Sequence, residues 1–500
     1  MFTLFKKPIV RWILFFATLF GVYIFTRLIS IGAMPIFTDE AIYIRWAQIG
    51  ANDPAWRLIS LTDGKQPLFS WIVMACLRFI HDPLVAGRFA SVLSGSIALF
   101  AFPLLSFALF ESLIPGAIAA TLYVLSPTTL LYDRMALYDT LVATLFILNT
   151  ALSILLVKKN RLDIALLLGI GLGFAMLNKT SGFLSLYLLP MTLILFDWSK
   201  KDRTHRLLRW MGFAVVAAGI SQMMYAILRL SPFLYIVAQK DALFVYPLRE
   251  WIHHPFTYLY SNLHGMVNWF VFYMSWPIIC AAVYGTLRHD GKKWREMLLM
   301  IGYFIAPFLA LGLFGKTLYP RYILFMIMPL LLLSAWGLWQ WWNESRAVWA
   351  KVLPVLVVIP YLVASTWMLI DIRTAPLLAS DSSQYVNDWP AGWGVKEIAA
   401  LISEESQKGK VTVYTEGTFG LMPYSLEIYL SGKKNIEIVG IWPFPKKIPD
   451  DIRLKATDHP VYLVMYQSQT DPDWPVQKIL SVAQGRNERI RMRLYKISAF

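Results

Sequence analysis

Ile9-Val10-Arg11-Trp12-Ile13-Leu14-Phe15-Phe16-Ala17-Thr18-Leu19-Phe20 opens an apolar run that reaches Ile31. A helix needs about 20 such residues to cross a bilayer, and this run supplies them. It is too long for the apolar part of a cleaved leader and has no small-residue cleavage pattern. With Lys6, Lys7 and Arg11 around its start, it reads as an uncleaved first span whose N-terminus is inside. Just past it, in Phe37-Thr38-Asp39-Glu40-Ala41, two carboxylates stand side by side. Acids beside a bilayer are expensive to keep and call for a reason.

Working outward, similar runs recur near 84–107, 113–131, 136–157, 164–178, 182–197, 208–229, 266–287, 297–315, 322–342 and 351–370. With the first, they predict an α-helical polytopic membrane protein of about 11 transmembrane helices. The chain has 500 residues, 57% of them hydrophobic and only 15% charged. Its net charge of +15 would suit nucleic acid, but the Lys and Arg residues sit in short loops between apolar runs, as membrane orientation requires. Nucleic acid is therefore rejected as a partner, and membrane lipids are expected instead. Cys76 and Cys280, the only cysteines, lie in apolar surroundings, so neither a disulfide framework nor a cysteine metal site is expected.

The basic loops at 158–161, 200–209, 288–295 and 346–351 all fall on the N-terminal side. An odd number of spans then puts the C-terminus on the other side. The expected location is a cell (inner or plasma) membrane, with the N-terminus cytoplasmic and the C-terminal part extracytoplasmic. Two outside loops are long, 31–83 and 230–265, and the first should hold short helices lying on the membrane surface. Past 371 the composition turns polar. Trp393 to Gly409 reads as an amphipathic helix, Ser425 to Leu430 as another, and runs at 411–414, 436–439, 461–464 and 491–494 as strands. The predicted domains are 1–370, in the membrane, and 371–500, a small extracytoplasmic α/β domain. The latter has neither a GxGxxG nor a P-loop pattern, so no nucleotide is expected.

The residues able to do chemistry gather on the outside. Thr38, Asp39 and Glu40 could simply cap a helix and favour its dipole; alternatively a carboxylate there takes a proton from an acceptor hydroxyl. Glu40 could orient Asp39, or the two could hold a divalent cation, Mg²⁺ or Mn²⁺. Lys65 stands on a turn, Asp63-Gly64-Lys65-Gln66-Pro67, and is either a solvated loop lysine or a phosphate contact. Arg88, inside an apolar helix, must snorkel or find a partner. In Asp133-Arg134-Met135-Ala136-Leu137-Tyr138-Asp139, a continuous helix would put Arg134 and Tyr138 on one face and turn the two acids apart. Asp139 is the better candidate, because it lies further into the apolar run. Lys179, Arg321 and Tyr322 flank spans on the same side and could be interfacial anchors. Taken together, these cations beside two acidic clusters suggest a phosphate-bearing lipid. His81, His253, His254 and His264 match no zinc spacing.

These residues, in this order, resemble bacterial membrane glycosyltransferases. The stretch from 1 to about 370 resembles the dolichyl-phosphate-mannose–protein mannosyltransferases and the lipid A aminoarabinose transferases, of the GT-C superfamily. The resemblance rests on Asp39-Glu40, Gly64-Lys65-Gln66-Pro67-Leu68, Arg88, Arg134-Met135-Ala136-Leu137-Tyr138-Asp139, Lys179 and Arg321-Tyr322. It implies an inverting transferase that moves a sugar from a polyprenyl-phosphate donor to an acceptor hydroxyl of a protein, lipid or glycan. Asp39 matches the first-loop acid taken as base, and Asp139 the second acid. Lys65 stands where the family has Lys-Pro-Pro; here Gln66 departs from it. The expected catalytic set is Asp39, Glu40 and Asp139. The expected donor-phosphate set is Lys65, Arg88, Arg134, Lys179, Arg321 and Tyr322. The rival is a transporter or lipid flippase, whose ionisable groups belong near mid-span.

Overall fold

The computed structural model describes residues 8–288, 291 and 293–498; Lys6, Lys7 and Lys292 of the basic segments lie outside the described residues. Among the described residues, seven helices are long and apolar enough to cross a membrane, from Ile9–Leu28 to Trp349–Ile370, and two bent pairs bring the number to nine. The chain is thus a multi-pass membrane protein. The remaining two expected spans are shorter. Leu162–Asn178 is a 17-residue helix, and Thr180–Leu195 is a broken series of short turns that contains Pro190.

Both bends have local causes. Ile114–Leu125 and Pro127–Asp133 meet at 65° because Ser126, before a proline, is driven to extended backbone. Leu259–Met274 and Trp276–Leu287 meet at 101° at Ser275, where Pro277 in the next first turn lacks an N–H. Packing between spans relies on small residues. A Cβ at Gly285 would come within 2.6 Å of the Gly337 backbone, so these two helices approach as only glycines allow.

The loop after the first span folds into Thr38–Asn52, two short turns and Leu68–Cys76, none long enough to cross. At the far end, five strands form a mixed sheet in the spatial order Ile436–Ile441, Val411–Glu416, Val461–Met465, Asn487–Ile497, Val476–Gln484. The first three are parallel and the last two antiparallel to their neighbours. Strand Val476–Gln484 and helix Asp450–Asp458 were not expected from the sequence.

The C-terminal part grips the segment that carries Asp39. Ile36 and Phe37 pair antiparallel with Gly392 and Ala391, and Thr38 N–H donates to Pro390 O at 3.2 Å. Arg45 pairs with Glu427 at 2.5 Å, and Gln48 donates to Ile428 O at 2.8 Å. The Thr38–Asn52 helix is therefore tied to the C-terminal part at its start and again at Arg45 and Gln48.

Candidate active site

Four helix ends converge. Asp39 lies in the first turn of Thr38–Asn52 and Asp139 in the first turn of Tyr138–Lys159. Lys179 directly follows Leu162–Asn178, and Arg321 lies in the short turn Pro320–Ile323 ahead of Leu324–Glu344. Helix starts favour acidic side chains through the backbone dipole, and Asp39 and Asp139 both stand in such first turns.

Arg321 joins the two acids. Its Nη2 lies 2.9 Å from Asp39 Oδ2 and its Nε 4.0 Å from Asp139 Oδ2. Lys179 Nζ donates to Asp139 Oδ1 at 2.7 Å. Aromatic faces back the cations: Lys179 sits 4.3 Å from the Tyr322 ring centre, and Arg321 sits 5.4 Å from Phe37 and 5.2 Å from Tyr319. Lys65 is carried in by Gly64, whose φ of +67° and tight contact with Ile236 and Lys240 admit no side chain. Burial, then the like charge of Lys179, pulls the Lys65 ammonium from 10.5 to about 8. Burial likewise raises the Asp241 carboxyl, against a hydrogen bond from Thr180.

Lys65, Asp139, Lys179, Arg321 and Tyr322 line a narrow chamber together with Tyr43, Gln66, Tyr138 and Asn178. Two polar atoms of this lining, Arg321 Nη1 and Asn178 Oδ1, are buried without a partner among the described residues. The same cations also line a groove of about 630 Å³ whose other lining is mostly apolar, including Phe183, Leu184, Phe244, Leu311, Phe314 and Phe325. Asp39 does not line the chamber itself; it borders it through Arg321. Its side chain is 25% exposed, and Oδ1 has no partner among the described residues. Asp139, 8% exposed, is held by Lys179 and Arg321.

Three expected site residues lie elsewhere. Glu40 and Arg88 are fully buried and face each other, with Nε–Oε1 and Nη2–Oε2 both 2.8 Å. Arg88 spends its other N–H bonds on the carbonyls of Ile31, Met34 and Pro35. All five donors of the guanidinium are thus engaged, leaving none for a phosphate. Glu40 also accepts from the N–H of Phe37 and Ala136, so each of its oxygens already receives two donors. That corrects its expected catalytic role, and with it the Asp39–Glu40 cation pair: Glu40 has no lone pair left for Mg²⁺ or Mn²⁺. Among the described residues no group of three or more His, Cys, Asp or Glu could hold a metal ion. Arg134 is not in the chamber. The helix stops at Asp133 and restarts at Tyr138, so Arg134 and Tyr138 do not share a face. Asp133 turns inward to Arg27, Tyr123 and Thr140.

Sequence reasoning missed Tyr43, Gln66, Tyr138, Asn178 and Asp241. The first four are uncharged and gave no signal beyond adjacency to Lys65, Asp139 and Lys179. Asp241 lay in a loop with no neighbouring motif.

No protein-family model matches the sequence, and no curated protein matches it. Solved structures do match. ArnT from Cupriavidus metallidurans bound to undecaprenyl phosphate aligns over 98% of each chain with a TM-score of 0.59 and 16% identity. Its apo state aligns over 99% of each, with a TM-score of 0.58 and 16% identity. This chain has the GT-C fold. A more distant GT-C likeness is the Archaeoglobus fulgidus oligosaccharyltransferase, solved with Zn and sulfate. It has a TM-score of 0.51 and 13% identity, over 90% of this chain and 68% of that one. At these identities the likeness is one of GT-C architecture.

Proposed function

We propose that this protein is a membrane glycosyltransferase. It moves a sugar from a polyprenyl-phosphate donor to an acceptor hydroxyl by one inverting displacement. The observation that carries this reading is the groove lined both by three cations, Lys65, Lys179 and Arg321, and by a majority of apolar residues. That combination suits a ligand with a phosphate head and a hydrocarbon tail, such as the undecaprenyl phosphate named with ArnT.

Lys65, Lys179 and Arg321 hold the phosphate, and the free Arg321 Nη1 supplies a donor that ground-state protein contacts leave unused. Asp39 Oδ1 takes the acceptor proton. The acceptor oxygen bonds to the anomeric carbon, the carbon–oxygen bond to phosphate breaks, and its electrons leave on the polyprenyl phosphate. The cations offset the charge that grows there, which is electrostatic catalysis. A single displacement needs one base. Asp39 suits that role better than Asp139, because both Asp139 oxygens face cations while Asp39 keeps one free. Asp139 positions Lys179 and Arg321. No step runs through a metal or nucleotide.

The protein is placed by this reading in a cell membrane with residues 371–500 as an extracytoplasmic domain and eleven crossings. Support comes from Lys158 and Lys159, which close the Tyr138–Lys159 helix that Asp139 opens, and from Arg161, which precedes the Leu162–Asn178 helix that Lys179 follows. A transporter would hold its ionisable groups near mid-span, whereas here they sit at helix ends.

The test is binding of undecaprenyl phosphate to the purified chain, with Lys179→Gln and Arg321→Gln. Binding weakened on the order of tenfold or more in each variant supports the groove as the donor site. Unchanged binding in both overturns it.

A further inference from the structure

A second cavity, about 250 Å³, lies where the Pro8–Leu28 and Ile359–Ile370 helices end and the chain passes toward the C-terminal sheet. It shares no residue with the chamber or the groove. Its apolar wall includes Ile31, Leu130, Met368 and Ile370, and its two cations are Arg134 and Arg373.

Arg134 Nη2 donates to the carbonyls of Ile29 at 2.7 Å and Ser30 at 3.0 Å. Its Nε and Nη1, which carry three of the five guanidinium N–H bonds, have no acceptor among the described residues. The Arg373 guanidinium sits 4.1 Å from the Trp393 ring centre and likewise has no acceptor among the described residues. Asp371 is the one carboxylate in the lining. It is occupied with its own turn: Oδ1 accepts from Arg373 N–H at 3.0 Å and Oδ2 from the Thr374 hydroxyl at 2.9 Å. Two arginines with open donors thus share a cavity in which the acid is already engaged. Guanidinium groups form charge-assisted, often bidentate hydrogen bonds with phosphate oxygens.

We infer that this cavity binds a phosphate group, carried by the headgroup of an anionic membrane lipid, with Arg134 and Arg373 donating to its oxygens. The lipid is favoured over a free ion because the apolar wall comes from the ends of two spans, where acyl chains begin. The site stands apart from the donor groove but not from its framework. Arg88 binds the carbonyls of Ile31, Met34 and Pro35 and the carboxylate of Glu40; Ile31 and Met34 line this cavity, and Glu40 adjoins Asp39.

The test uses the full chain in neutral detergent with three probes: dioctanoyl phosphatidylglycerol, dioctanoyl glycerol without phosphate, and inorganic phosphate. Binding is read from the rise in thermal midpoint with probe concentration. The expected result is saturable binding of phosphatidylglycerol, weakened about tenfold or more by Arg134→Gln and by Arg373→Gln and left intact by Lys65→Gln. Dioctanoyl glycerol should not bind at this site. Inorganic phosphate that binds as tightly, with the same dependence on both arginines, supports the site and assigns the free ion as its ligand. If Arg134→Gln does not fold, exposed Arg373 decides alone, since its side chain holds no backbone carbonyl. Phosphatidylglycerol and inorganic phosphate both failing to bind, or binding equally well to the variants and the parent, overturns the inference. A loss caused by Lys65→Gln instead would assign the bound lipid to the donor groove and also overturn it.

Discussion

Arg321 pairs with Asp39 across 2.9 Å, from a turn that precedes the tenth apolar segment to a helix that follows the first. The same guanidinium faces Asp139 at 4.0 Å. Removing it takes away the cation between the two carboxylates and leaves Lys65 and Lys179 to offset them. Arg321→Lys keeps the charge but loses the planar fork that spans both acids. Polyprenyl-phosphate binding should weaken on the order of tenfold in Arg321→Lys and further in Arg321→Gln. Equilibrium binding of undecaprenyl phosphate checks this, and equal affinity in Arg321→Lys and the parent would remove the fork from the account.

Glu40 and Arg88 form a sealed pair, so their loss should be read in stability before chemistry. Breaking a buried ion pair by removing one partner costs about 3–5 kcal/mol. Arg88→Met and Glu40→Gln should each lower the thermal midpoint and the yield of folded protein sharply. The double variant should recover part of the loss, because no buried charge is then left alone. Thermal unfolding in detergent checks it. A stable Arg88→Met protein that has lost only donor binding would return Arg88 to the phosphate site.

Lys65 gives the donor site a pH dependence. Its ammonium titrates at about 8 in the free protein. The charged form attracts phosphate, so affinity should be full below that value and fall as pH rises through it. At pH 9, roughly nine-tenths of free sites have lost this charge. A bound phosphate raises the lysine's pKa again, so the fall appears in binding to the free protein. Lys65→Arg should flatten the profile while keeping affinity, and Lys65→Gln should flatten it at the weaker limit. Titration of undecaprenyl phosphate binding from pH 6.5 to 9.5 decides; an identical slope in all three proteins contradicts the assignment.

Much of this layout was legible because charge in an apolar chain is conspicuous. Asp39, Asp139, Lys179 and Arg321 stood out as the charged residues at the ends of apolar runs, and the basic loops gave their common side. Glu40 was misread because adjacent residues on a helix point about 100° apart, so Asp39 and Glu40 could not both face one ligand. Nothing in the linear chain said that Arg88 would turn to Glu40. Arg134 was misread because Asp133 ends its helix, a break that periodicity did not reveal. The terminal strand Val476–Gln484 escaped because its residues are half-exposed on an edge, where alternation is weak. Asp241 reaches the groove only through the fold of the 230–265 loop, on which short-range pattern has no bearing.

The central claim is that Asp39 is the base of a sugar transfer from a lipid-linked donor. It is tested most directly by mass spectrometry of cellular glycans and glycolipids in three strains: parent, deletion, and Asp39→Asn at the parent protein level. The amide keeps an acceptor for Arg321 but cannot take the proton, and loss of such a base slows transfer roughly 100- to 10,000-fold. The account predicts that Asp39→Asn lacks the same glycan species as the deletion while its purified protein still binds undecaprenyl phosphate. A glycan profile in Asp39→Asn that matches the parent, with the deletion clearly altered, would contradict it.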